Sequence, residues 1–410
     1  MIITDKKISI LKTIPLSLQH LFAMFSATVV IPVLFKINPA TVLFFNGVGT
    51  LLYIFICRGK IPAFLGSSAA FISPVFLVMS MYNYEAALFG FIAVGVLFCL
   101  TAFLIKLVGT KWIDVIFPPA AMGAIVTVIG LELMPIAANM AGLTDSNPNG
   151  KIIFTALATL AVTIVLTVAF KNFLSVLAIL LSIVFGYILS FFLGLVDFSP
   201  VKDAAWLALP TLYKPEINID AVFIMLPVAL VLIAEHMGHF IVIGNIMNKD
   251  LFKEPGLARS IFGNGISTLI SGFFGSTPNT TYGENIGVIA ITKVFSPYVL
   301  AGAAIFSVIL SFSGKLAAII LSIPHAVIGG ISLLLFGVIA ASGIRILIEK
   351  RVDYGKPENL LLTAVVLGLG LSGAKFTIGT ITIKGMILST FAAIIISLLF
   401  SLFKKDEKKL

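Results

Sequence analysis

Apolar residues along this chain fall into long runs, without the strict alternation of surface strands. Fourteen runs can be marked, at 14–35, 40–57, 67–80, 85–107, 113–137, 152–170 and 173–196 in the first half, and at 220–246, 258–274, 279–291, 295–313, 316–344, 358–373 and 380–403 in the second. A helix needs about 18 or more apolar residues to cross a hydrocarbon core, and most of these runs approach or exceed that length. The pattern predicts an all-α polytopic membrane protein with 14 transmembrane segments. The third and tenth runs are short and broken by proline, glycine and polar residues, over 66–74 and 275–287. The first run follows Lys6, Lys7 and Lys12; it is too long for a signal-peptide core and no small-residue cleavage site follows it, so it reads as a retained span.

Charge fixes the expected sidedness. Only 11% of the 410 residues are charged, against roughly a quarter in a soluble domain. The net charge of +9 is better explained by positive cytoplasmic loops than by nucleic-acid binding. With loops assigned alternately, seven Lys or Arg (36, 151, 202, 214, 315, 375 and 384) fall on one side and the other 20 of the 27 on the side of the termini. Both termini are therefore expected to be cytoplasmic, in a bacterial inner membrane. Two cysteines, Cys57 and Cys99, and four scattered histidines provide no disulfide framework or confident metal cluster. No phosphate-binding loop, nucleophile elbow or HExxH sequence is present, so an enzyme is not expected, nor a cofactor.

The halves resemble one another. Asn46-Gly47-Val48-Gly49-Thr50-Leu51 matches Asn264-Gly265-Ile266-Ser267-Thr268-Leu269, Gly-Ser-Ser at 66–68 matches Gly-Ser-Thr at 275–277, and Gly109…Pro119 matches Gly314…Pro324. The offsets lie between 205 and 218 residues, near half the chain, and the order is shared. Seven spans per half is an odd number, so the second half would enter the membrane inverted. Inverted repeats with paired interrupted helices mark secondary transporters, with the substrate site where those helices meet.

Ionisable residues at membrane depth are costly and point to function. Glu235 lies mid-run with His239 four residues on, on the same helical face, while His236 points elsewhere. Glu284 lies in the interrupted tenth run among Tyr282, Gly283, Asn285 and Gly287; Glu132 is a further acid near the end of its span. Two acids in matching halves beside broken helices suit substrate or proton handling, because a carboxyl group removed from water binds a proton more readily. The competing structural reading is a pair of neutral acids tying helices together. Gln19-His20 reads equally well as a helix–helix hydrogen bond, and Phe71 and Phe336 read as core among 35 phenylalanines.

Ser17-Leu18-Gln19-His20 and the stretch Glu284-Asn285-Ile286-Gly287-Val288-Ile289-Ala290-Ile291-Thr292-Lys293 resemble the two signature motifs of the nucleobase–ascorbate transporter family. The resemblance runs over nearly the whole chain. It implies 14 transmembrane segments as two inverted 7-segment repeats with short antiparallel strands in segments 3 and 10. It further implies a core domain (1–110 and 199–314), a gate domain (111–198 and 315–410) and a possible homodimer. The implied activity is import of a nucleobase, uracil first, by proton symport through alternating access. Other readings are another base such as xanthine or thymine, an anion transporter of the same fold, or an integral-membrane enzyme. By resemblance Glu235 would accept from the ring N–H groups, Glu284 and the amides near Gly283 would hold the other edge, and Tyr282, Ala69 and Phe336 would shape the site. His239, Asn285 and His20 would orient the acids or carry the proton. At Ala69 and Phe336 the chain departs from the expected Phe and Tyr.

Overall fold

In the computed structural model, which describes residues 10–171, 173–378 and 381–407, helix occupies all or part of every apolar run. The first half contains α1 (Ile10–Phe35), α2 (Pro39–Ile56), β1 (Leu65–Ser67), a 3-10 turn (Ala69–Phe71), α3 (Ile72–Met81) and α4 (Tyr84–Val108). It continues with α5 (Lys111–Ile116), α6 (Pro119–Met140), α7 (Gly150–Ala169), α8 (Phe173–Phe192) and α9 (Ser199–Asp203). The second half contains α10 (Ile219–Met247), α11 (Leu257–Phe274), β2 (Asn279–Thr281), α12 (Gly283–Thr292), α13 (Pro297–Ser311) and α14 (Gly314–Leu321). It ends with α15 (His325–Glu349), α16 (Pro357–Leu371), β3 (Lys375–Ile378), β4 (Ile381–Lys384) and α17 (Gly385–Glu407). Among the described residues eight helices are long and apolar enough to cross a membrane, and four more apolar helices are shorter. The protein is thus a multi-pass, mainly helical membrane protein. Lys6, Lys7, Lys408 and Lys409 of the charge count, and Thr380 at the start of the last run, lie outside the described residues.

Two runs expected as single helices are each divided. The run at 113–137 breaks into α5 and α6 at Phe117-Pro118, and the run at 316–344 into α14 and α15 at Pro324. Proline lacks an N–H and pushes its preceding residue out of the helical region, so hydropathy continues where the helix cannot. The β3–β4 hairpin was also invisible to the run pattern; its β-branched residues Thr377, Ile378, Ile381, Thr382 and Ile383 favour extended backbone. Small residues bring the long helices together. A Cβ on Gly130 of α6 would lie 2.4 Å from the Ala340 nitrogen of α15, and one on Gly343 would lie 2.4 Å from the Thr127 nitrogen.

The two strands β1 and β2 pair antiparallel, with Leu65 opposite Thr281, Gly66 opposite Thr280 and Ser67 opposite Asn279. All six residues are buried. Ser68 N–H donating to the Pro278 carbonyl and Tyr282 N–H donating to the Phe64 carbonyl extend the ladder at its ends. Two threonines close its outer edges. Thr50 Oγ1 on α2 accepts from Leu65 N–H at 2.9 Å and donates to the Leu65 carbonyl at 3.2 Å. Thr268 Oγ1 on α11 accepts from Asn279 N–H at 3.2 Å and donates to the Asn279 carbonyl at 3.4 Å. Thr50 and Thr268 occupy matching places in the repeated sextets.

Gly66 is required where it stands: a Cβ there would lie 2.4 Å from the Tyr282 ring carbons. Gly66→Ala is expected to destabilise the protein by about 1–3 kcal/mol through overpacking, lowering the thermal midpoint in detergent. Gly368→Ala, with nothing within 4 Å of the added carbon, is the matched control and should leave the midpoint unchanged or slightly raised.

Candidate functional site

The strand pair sets the site. Each strand leads at once into a short helix, β1 through the Ala69–Phe71 turn into α3 and β2 through Tyr282 into α12. Because the strands run antiparallel, these half-helices leave in opposite directions and both begin beside the pair. The first-turn amides of a helix lack intrahelical acceptors and carry a partial positive charge. Gly283 and Glu284 open α12, and both are exposed although Tyr282 before them and Asn285 after them are buried. The start of α12 therefore borders an opening within the helix bundle.

α10 supplies the facing wall. Its neighbours include α3, α12, β2 and the Ala69–Phe71 turn. Glu235 and His239 are half-buried on this helix. His239 Nδ1 is hydrogen-bonded to Thr281 Oγ1 at 2.9 Å, which fixes the ring against the end of β2. The other ring nitrogen, Nε2, lies 3.7 Å from where a Cβ on Gly283 would sit. Glu284 lies within the electrostatic reach of both His239 and Glu235. The structure thus brings together Glu235, His239, Gly283 and Glu284, a cluster with hydrogen-bond acceptors, an imidazole and the first-turn amides of α12.

Of the remaining candidates, Tyr282, Asn285 and His20 brace the elements that carry this cluster, whereas Phe336 and Glu132 lie in the contacts of α6 with α15 and α17. Tyr282 is 4% exposed and donates its hydroxyl proton to the Ser67 carbonyl at 3.1 Å, tying β2 to β1. The side-chain amide of Asn285 donates to the His20 carbonyl at 3.0 Å and lies 3.1 Å from His20 Nδ1, clamping α12 to α1. Both signature motifs therefore meet in one hydrogen-bonded contact. Ala69 is half-buried at the start of the turn after β1. Phe336 is buried in the α6–α15 seam, where its carbonyl faces Gly130. Glu132 on α6 accepts from Met386 N–H at 3.0 Å and so caps α17.

Several residues of this region were not singled out from the sequence. Thr281 holds His239, and Asn279 donates to Ser267 Oγ at 2.6 Å beneath the strands. Thr50 and Thr268 carried a signal, since both lie in the repeated sextets. Thr281 carried none, being one threonine among several in a polar stretch.

Solved structures share the fold. The transmembrane domain of a cyanobacterial bicarbonate transporter, BicA, matches with a TM-score of 0.62 and 15% identity over 97% of this chain and 98% of that one. The murine anion transporter Slc26a9 in the inward-facing state matches with a TM-score of 0.76 and 12% identity over 98% of this chain and 70% of that one. Sequence relatives are much nearer. The uracil permease of Escherichia coli (strain K12) is 61% identical over 396 residues, spanning 96% of this chain and 92% of that protein. Those of Paenibacillus larvae and Bacillus subtilis are 56% and 42% identical, over 98% and 95% of this chain and 97% and 93% of those proteins. The Permease family model (Xan_ur_permease) matches residues 11–379, and with relatives this similar along its whole length the chain belongs to the nucleobase–ascorbate transporter family of permeases.

Proposed function

We propose that this permease imports uracil together with a proton by alternating access. The observation that carries the reading is 61% identity to a uracil permease over 96% of the chain, and the electrostatic interaction between Glu235 and Glu284 supports it. Uracil is planar and neutral, with two N–H donors and two carbonyl acceptors. In this reading Glu235 accepts from ring N–H groups, while Glu284 and the first amides of α12 hold the opposite edge. His239, held by Thr281, orients the acids or shares the proton, and Tyr282, Asn285 and His20 keep the half-helices in register. Ala69 and Phe336 complete the walls.

The same reading takes the chain as 14 spans in two inverted sevens, with both termini cytoplasmic and a homodimer as the working assembly. The equivalent service of Thr50 to β1 and Thr268 to β2 supports the repeat. Residues 1–110 and 199–314 would move as a core against a gate of 111–198 and 315–410. The packing of α2 against α11 and α13 and of α6 against α15 and α16 supports that division, while α14, within the gate range, packs on α2, α9 and α13.

Radiolabelled uracil uptake into proteoliposomes tests the activity. An inside-alkaline pH gradient should drive accumulation, and a protonophore should abolish it; uptake indifferent to the gradient would remove the proton from the cycle. Unlabelled xanthine and thymine should compete weakly against uracil, and stronger competition by either would change the substrate. Glu235→Gln should weaken uracil binding by about 1.5–3 kcal/mol, the worth of a hydrogen bond to a charged group, or about 10- to 150-fold in Kd. Titration calorimetry in detergent measures this, and an unchanged Kd would take Glu235 out of the site.

A further inference from the structure

His236 follows Glu235 on α10 and points to a different side of the helix. In the structure it begins a buried polar file that leaves the site. Its Nε2 is 2.7 Å from Ser260 Oγ on α11, and Ser260 Oγ is 2.6 Å from the Tyr53 hydroxyl on α2. His236 is 2% exposed, Ser260 0% and Tyr53 1%. Tyr53 in turn contacts Cys57, four residues on, at the C-terminal cap of α2. His236 Nδ1 has no hydrogen-bond partner although it is buried, and an unsatisfied buried polar atom costs about 1–3 kcal/mol.

Position gives the file a direction. His239 lies three residues beyond His236 on α10, a neighbour along the helix surface and within electrostatic reach of it. The file thus starts next to the Glu235–His239–Glu284 cluster. Its other end lies near the end of α2 and the start of α11, with Tyr53 and Cys57 still buried. Ser260 is three residues into α11, so about 4.5 Å along the axis from the helix start. Arg259 beside it is half-buried and within electrostatic reach of Cys57. Just outside, Lys60 pairs with Glu254 and holds that exposed carboxyl below the usual carboxylate range. Arg58, Lys60, Lys253 and Arg259 belong to the side predicted to be cytoplasmic.

We propose that His236, Ser260 and Tyr53 form a proton-release relay from the substrate site to the cytoplasmic face, an inference that rests on the symport reading above. A proton taken up at His236 Nδ1 from the His239 side releases the Nε2 proton to Ser260 Oγ. Ser260 passes its own proton to the Tyr53 oxygen, and Tyr53 passes its own to water admitted past Cys57 at the end of α2. One proton enters and one leaves. The imidazole ends in the opposite tautomer and the hydroxyls end rotated; reversal of those rotations together with a flip of the imidazole ring resets the file. Histidine suits the first place because it offers an acceptor and a donor on opposite sides of one ring. Serine and tyrosine suit the next two because a hydroxyl donates and accepts together.

The experiment compares two modes of transport in proteoliposomes for the parent, Ser260→Ala and Tyr53→Phe. Each substitution deletes a hydroxyl and little else. Counterflow of labelled against unlabelled uracil needs no net proton release and should stay within about twofold of the parent. Accumulation driven by the pH gradient should fall at least tenfold in both variants. Ser260→Thr, which restores a hydroxyl, should recover it. Thermal midpoints in detergent separate this from misfolding, and Tyr53→Phe serves if Ser260→Ala is unstable. Gradient-driven accumulation at parental levels in both variants, or equal loss of counterflow and accumulation, would overturn the relay while leaving symport standing. A parent indifferent to the gradient would overturn the symport reading and the relay with it.

Discussion

An extended backbone at membrane depth must find partners for its N–H and C=O groups, because the hydrocarbon core supplies none. β1 and β2 meet this demand by pairing with each other, and everything at the site is arranged around that pairing. Two strands have two outer edges as well as a shared one. Thr50 and Thr268, each donating to and accepting from a single strand residue, serve those edges where water or a third strand would serve them elsewhere. Gly66 lets the Tyr282 ring lie across the pair, and the ring hydroxyl adds a further link to Ser67.

Satisfied strands make two helix starts possible at the centre of the bundle. A continuous span would bury its midpoint amides in its own hydrogen bonds. An interrupted one presents first-turn amides instead, and Gly283 and Glu284 stand exposed at such a start. Placing an acid there is favourable, since negative charge suits a helix N-terminus. The unbroken α10 then holds Glu235 and His239 across from it, and the bond from His239 to Thr281 ties that helix back to β2.

Hydropathy carried the helices well because lipid imposes a single requirement on every span. It failed at Pro118-Pro119 and at Pro324, where apolarity persists but a backbone donor does not, and at the β3–β4 hairpin, whose residues are apolar enough to merge with the next run. Glu235, His239 and Glu284 were legible as charge and imidazole at depth, and the structure clusters them. The Asn285–His20 clamp joins two motifs 265 positions apart; each was visible alone, but no spacing rule could pair them. The helical angle of His236 relative to Glu235 carries no sign of its partners, and only the tertiary approach of Ser260 and Tyr53 shows what it faces.

The fold is shared with anion transporters at 12–15% identity, so the architecture by itself does not select a ligand. Two half-helix N-termini make a site that attracts negative charge. Glu235 and Glu284 bring carboxyl groups to the same opening, and carboxylates there repel an anion while accepting from N–H donors. The electrostatics of the amides and those of the acids therefore pull in opposite directions. A neutral ring that carries carbonyl oxygens on one edge and N–H groups on another satisfies both at once, the carbonyls meeting amides and the N–H groups meeting carboxyl oxygens. In the proposed reading, that compromise, made by side chains on a scaffold indifferent to them, favours a nucleobase over an anion as the cargo.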